Sequence, residues 1–273
     1  MPFAFGIITS DPNLLRCELL RLRPEIGLGA GDEPMGAAWF ADDNVLVQRY
    51  SAAARPEGLD LLGGVLESDA LLVHGAALPL GLSIEENTQP FRFRQWLFVC
   101  QGTNGSDAKL RALAMEGLPD HLRRMVRGST AAEVAFALFL NALRETGRAE
   151  DPLLDAKTVA GALGRTARKL EALTHETGGR ALDAAMMATN NRMLVAARLG
   201  ETPLAYRLLE GAQHCERCRI DDSGEMEALR RAHQRRRTVA ISTDVRVAQG
   251  WIPLESGSAI AVGKSLNPER VQF

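Results

Sequence analysis

The sequence predicts an α+β fold of mainly antiparallel strands. Short apolar runs of strand length fill residues 3–105, helical spacing takes over across residues 106–175, and strand-like runs return from Gly178 onward. A doubly wound parallel sheet would need regular strand–helix alternation, which this order does not have. Two helical blocks serving strands on either side suit sheets with helical layers outside them. No internal repeat or low-complexity segment divides the chain, and residues 1–273 are expected to form a single domain.

The elements follow from local pattern. PFAFGII is a short apolar strand, and Ser10-Asp11-Pro12 offers a cap and a first-turn proline for a helix through about Leu22. GAAWF and NVLVQRY flank the turn residues Ala41-Asp42-Asp43-Asn44 and form a hairpin. ALLVHGA and QWLFVCQ are further strands. Thr130-Ala131-Ala132-Glu133 is a capping box, in which the Thr130 hydroxyl bonds the amide of Glu133 while Glu133 reaches back to the cap. It opens an apolar helix through Ala142, and LLDAKTVAGALGRTARKLEALTHE continues with helical spacing. NRMLVAARL, PLAYRLLE, RRTVAIST and GSAIAVG are the closing strands, with turns at Gly200 and Gly257.

Composition excludes several classes. An apolar fraction of 46% and a charged fraction of 24% belong to a folded globular protein. A formal charge of -2 gives no general attraction to nucleic acid or anionic lipid. No apolar run approaches the ~20 residues of a membrane span. Asp11 and Arg16 arrive too early for a signal peptide, and four cysteines are too few for a disulfide scaffold, so a cytoplasmic location is expected.

Ser83-Ile84-Glu85-Glu86-Asn87-Thr88-Gln89-Pro90-Phe91, followed by Trp96 and then Cys100-Gln101-Gly102-Thr103, resembles the ENTHPF…W-x-F-x-H-N-G-T region of the short class II (type 2) glutamine amidotransferases. GAAWF resembles that family's G-x-x-Y/F strand, LLVHGA its A-H-V-R strand, Gly128–Glu133 its G-x-T-D-S-E helix start, and VAISTDVRVAQGWIPLESGSAIAV its closing strands. The resemblance covers most of residues 1–265 and implies an Ntn-hydrolase-like four-layer αββα sandwich.

It also implies a chemistry that can be checked residue by residue. In the family the cysteine at position two, exposed by loss of Met, attacks the glutamine side-chain amide, and its own α-amine serves as base. An α-amine titrates at ~7.7–8, so one residue supplies both nucleophile and proton shuttle. Pro2 stands where that cysteine belongs. The arginine that holds the glutamine α-carboxylate is replaced by Ala76, and the aspartate that receives its α-ammonium by Ala131. The asparagine–glycine oxyanion hole reads Gln101-Gly102, one methylene too long. Residues that shape the fold are kept while those that hold glutamine are changed. The expected function is therefore that of a pseudoenzyme binding a protein partner or a small-molecule ligand in the former pocket of His74, Ala76, Gln101, Gly102 and Ala131. The alternatives are an active amide hydrolase or amidotransferase using Pro2, as a secondary amine, or Cys100, and a zinc- or redox-dependent module built on Cys215 and Cys218.

The remaining motifs have bland readings beside the functional ones. Cys100 in the run WLFVC reads as a small buried hydrophobe, and Cys17 as core. His74 is expected to satisfy a local hydrogen bond. Cys215 and Cys218 form a C-x-x-C with His214 adjacent, three potential zinc ligands where a structural site takes four. No resident cofactor is expected on that count. Zinc would need a fourth ligand from a homodimer partner or from Cys17 or Cys100, and a redox disulfide is the other reading. Arg230, Arg231, Arg235, Arg236 and Arg237 follow Asp221, Asp222, Glu225 and Glu227, without interleaved aromatics, so a solvated, self-pairing segment is expected and no nucleic-acid partner.

Overall fold

The computed structural model describes residues 2–27, 33–42, 44–54, 67–102, 108–148, 151, 154–179, 181–220 and 227–273. Its first half runs β1 (Phe3–Thr9), α1 (Leu15–Leu22), β2 (Met35–Ala41), β3 (Asn44–Tyr50), β4 (Ala70–Gly75), α2 (Ile84–Asn87), β5 (Phe91–Phe93) and β6 (Trp96–Gln101). Helices α3 (Ala108–Glu116), α4 (Asp120–Arg123), α5 (Ala131–Glu145) and α6 (Ala156–Glu176) follow. The chain then adds β7 (Ala184–Thr189), β8 (Leu194–Leu199), β9 (Ala205–Glu210), α7 (Glu227–Arg235) and β10 (Arg237–Ser242). It closes with β11 (Ile252–Pro253), β12 (Ser258–Val262) and β13 (Pro268–Gln272).

Among the described residues these strands make two sheets, ordered β11-β9-β10-β1-β4-β2-β3 and β13-β12-β8-β7-β6-β5. Their pairings are antiparallel. The fold class is thus the expected one. Strand β1 shows why its sequence lacks an apolar–polar alternation: both of its faces are buried. Phe3, Phe5 and Ile7 pack with Leu15, Leu19 and Leu22 of α1, and Ala4 and Ile8 point into the core shared with Leu97, Val99, Ala185 and Met187 of the second sheet. On the far side of that sheet, α5 and α6 bury their apolar faces, with Phe98 stacked against Phe136 and Phe139 at centroid distances of 5.2 and 5.9 Å. The layers are therefore helix, sheet, sheet, helix. Among the described residues no helix is long and apolar enough to cross a membrane.

Two local expectations need correction. Thr130 does cap α5, its hydroxyl accepting from the Glu133 amide at 3.4 Å. The Glu133 carboxylate, however, does not return to the cap: it accepts from the Arg127 and Gly128 amides at 2.9 and 2.7 Å and so ties down the loop ahead of the helix. The basic run is likewise only partly solvated. Arg230 and Arg231 pair with Glu227 along α7 as expected, whereas the Arg236 side chain is fully buried and lies 2.6 Å from Glu18. An ion pair removed from water persists only in close geometry, which Glu18 on α1 and Arg236, just past the end of α7, provide. Asp221, Asp222 and Glu225 lie outside the described residues, as do Met1 and Thr103.

Candidate functional site

A cavity of about 230 Å³ opens where the ends of β4 and β6 meet the start of α5. His74, Ala76, Gln101, Gly102 and Ala131 all line it, together with Thr130, Cys100 and the Asn87–Gln89 segment. Sequence reasoning grouped the first five, and the fold brings them together. Two glycines permit this approach. A Cβ on Gly36 would lie 2.1 Å from the Gln89 carbonyl oxygen, and Gly102 has φ +94° with the Asp183 carbonyl oxygen 2.6 Å from where a Cβ would stand.

Inside the cavity the polar groups are knitted to one another. Gln89 makes a two-way bond to the Cys100 backbone, donating from Nε2 to its carbonyl at 2.9 Å and accepting its amide at 2.6 Å. His74 Nε2 lies 3.1 Å from Gln101 Oε1 and 3.3 Å from Gln89 Nε2. The two contacts ask opposite things of that ring nitrogen, a proton for the Gln101 oxygen and a lone pair for the Gln89 amide, so it serves one of them at a time. Burial pushes His74 down to about 4, the Gln101 bond opposing only in part, so the imidazole is neutral near pH 7. Among the described residues no Asp, Glu, Lys or Arg side chain lines the cavity.

The two candidate nucleophiles are placed differently. Pro2 is exposed at the head of β1, where Phe3 pairs with Gly75, and it does not line the cavity. Cys100 borders the cavity but is buried in the core between the second sheet and its helices, as a small hydrophobe would be.

The structure of a glutamine aminotransferase class-II domain protein from Silicibacter pomeroyi superposes with a TM-score of 0.62 over 100% of this chain and 99% of its own, at 21% identity. The fold is that of the class II glutamine amidotransferases. A predicted glutamine amidotransferase from Pseudomonas aeruginosa gives a TM-score of 0.58 at 14% identity, covering 100% of this chain and 99% of that one. The glutamine phosphoribosylpyrophosphate amidotransferase of B. subtilis gives 0.57 at 12% identity, with 99% of this chain matching 49% of that larger one. In sequence, the probable glutamine amidotransferase DUG3 of Saccharomyces cerevisiae is 28% identical over 134 residues, which span 48% of this chain and 38% of that protein. No protein-family model matches the chain. The chain is thus class II glutamine amidotransferase-like, and its cavity lies among the residues on which the resemblance was drawn.

A second constellation lies elsewhere, between α1, the turn from Cys215 to Ile220, and α7. One ligand atom from each of Cys17, Cys215, Cys218 and His233 lies within 4.8 Å of all the others. His214, read from the sequence as the third ligand beside Cys215 and Cys218, is exposed and is not one of the four. Cys215 sits in a β-bridge with Ile220, and neighbours along extended backbone point to opposite sides. Cys17 is buried as expected, yet its sulfur lies 3.6 Å from that of Cys218, and none of the four cysteines is in a disulfide. Burial first, then the neighbouring thiols, push Cys17 up to about 12. Neither Cys17 nor His233 could be added from local spacing, because the fold supplies one from the first helix and the other from the last turn of α7.

Proposed function

We propose that this glutamine amidotransferase-like chain is a pseudoenzyme that does not hydrolyse glutamine and uses its altered cavity to bind an uncharged polar ligand or a partner segment. The observation that carries this reading is the cavity lining, with Ala76 and Ala131 in place of the charged clamp and a neutral His74–Gln101 pair at its floor. A free amino acid entering it would shed water from both a carboxylate and an ammonium without an ionic partner among the described residues. Each charge-assisted hydrogen bond is worth ~1.5–3 kcal/mol, so losing both anchors weakens glutamine binding by roughly two to four powers of ten. Pro2 supports the same reading, since it supplies no thiol at the strand start where the family pattern has one. A reducing, cytoplasmic compartment fits four cysteines that form no disulfide.

The test is ammonia release from glutamine by the purified full chain. Release at the level of the buffer blank is expected, and Pro2→Cys should leave it there because both anchors are still missing. Turnover above the blank that disappears on replacing Pro2 or Cys100 would overturn the proposal in favour of an active amide hydrolase.

A further inference from the structure

We propose that Cys17, Cys215, Cys218 and His233 form a structural zinc site within a single chain. Three sulfurs and one imidazole nitrogen make up a Cys₃His set, the tetrahedral donor combination that closed zinc sites use. With Zn–S bonds of about 2.3 Å, the edge between two sulfurs of such a tetrahedron is about 3.8 Å. The Cys17–Cys218 sulfur separation is 3.6 Å, close to that edge and far outside disulfide length.

A buried imidazole points to a ligand independently of the spacing. His233 is 1% exposed, yet among the described residues its Nε2 has no hydrogen-bond partner. Among the described residues Arg236, equally buried, has no acceptor for Nε and Nη2, and Glu18 Oε2 has only the Arg21 guanidinium at 3.8 Å. Buried polar atoms are normally satisfied, and His233 and Arg236 together leave three without a hydrogen bond among the described residues. A zinc ion takes the lone pair of Nε2 when the ring proton sits on Nδ1, and the 3.4 Å contact of Nδ1 with Arg236 Nη1 then opens and frees that guanidinium. The three thiolates it recruits give the site a net negative charge, which the Arg236 guanidinium beside it is placed to offset and hydrogen-bond. The backbone around the site is already tight: the Ile220 amide donates to the Cys215 carbonyl at 3.2 Å, and the Ala212 amide to the His233 carbonyl at 3.0 Å. A cavity of about 690 Å³ bordered by Cys17, Cys215 and His233 gives an entry path. Because all four ligands come from one chain, no second subunit is required. The ion would staple the segment between β9 and β10 onto α1, the helix that covers β1.

The experiment is metal analysis of the full chain, purified under reducing conditions and passed through a chelating column, alongside cobalt(II) titration of the metal-stripped chain. One zinc per chain is expected, together with the d–d and thiolate charge-transfer absorption of tetrahedral cobalt. Cys215→Ser/Cys218→Ser should abolish both signals, His233→Ala should weaken metal affinity at least about tenfold, and His214→Ala should leave the metal content unchanged. The cobalt spectrum of the unaltered chain keeps the test decisive if the double variant fails to fold. A chain isolated without zinc that also gives no charge-transfer band overturns the proposal, as does a Cys17–Cys218 disulfide in the purified protein. Loss of metal in His214→Ala with retention in His233→Ala overturns the ligand assignment.

Discussion

At Gly36 the side chain is absent because the Gln89 carbonyl oxygen occupies its place, 2.1 Å from where a Cβ would stand. That atom belongs to backbone and cannot rotate aside, so Gly36→Ala should lower stability by about 1–3 kcal/mol in urea unfolding and shift Gln89, which lines the cavity. An unchanged unfolding midpoint would mean that Gln89 does not approach β2 in this way. His74 gives a second expectation at this scale. Its folded-state titration lies near 4, below the ordinary 6.5, so the unfolded chain takes up the proton first as pH falls. Stability should therefore be undiminished by His74 above about pH 6.5 and should fall between there and pH 4, by on the order of 3 kcal/mol from this residue. The quantity to measure is the difference in pH slope between the unaltered chain and His74→Gln. Equal slopes would show that the imidazole is solvated. From the sequence His74 could be recognised as a strand residue with a local partner, and the resemblance supplied its place in the pocket. That Gln89 would clasp the Cys100 backbone beside it was not legible, since a glutamine carries no sign of which amide it will meet.

The start of α5 shows how an element can be read correctly and its chemistry incompletely. Thr130→Ala removes one N-cap bond and should cost about 1 kcal/mol. Glu133→Ala strands the Arg127 and Gly128 amides together, and a buried unsatisfied donor costs about 1–3 kcal/mol, so this variant should be the less stable of the two. Thermal unfolding of both under one buffer decides the order, and the reverse order would restore the capping box as the sequence predicts it. The long helices and the flanking strands were legible because their periodicities are clean and their caps have donors and acceptors at fixed offsets. Strand β7, AAMMAT, was not: every residue is buried, so no alternation marks it, and its alanines fit a helix equally well. Strand β13, PERVQ, is an edge strand paired, among the described residues, to β12 alone, and it carries charge where an apolar run would have announced it. Helix α7 was legible as a self-pairing segment from Glu227 and its arginines, but the burial of Arg236 depends on Glu18, which lies on the first helix and has no sequence relation to it.

For the whole molecule, the layer order was within reach of the sequence because strand, helix and strand blocks follow one another without alternation. The meeting of distant residues was less so. The cavity could be anticipated through the resemblance, which fixes several positions at once, whereas the Cys₃His cluster depends on α1 folding back over the sheet to meet the segment before β10. The same architecture, with two antiparallel sheets between helical layers, therefore carries two separate features: a cavity that no charged side chain lines among the described residues, and, away from it, a cluster of three cysteines and a histidine. For the cavity, glutamine binding is a more direct test than turnover because binding needs no nucleophile. Isothermal titration of L-glutamine into the purified chain should give no saturable heat at about 1 mM ligand, where an intact charged clamp would already bind. A one-to-one isotherm with a Kd below about 1 mM would contradict the account, for it would require the cavity to hold both charged ends of the amino acid after all.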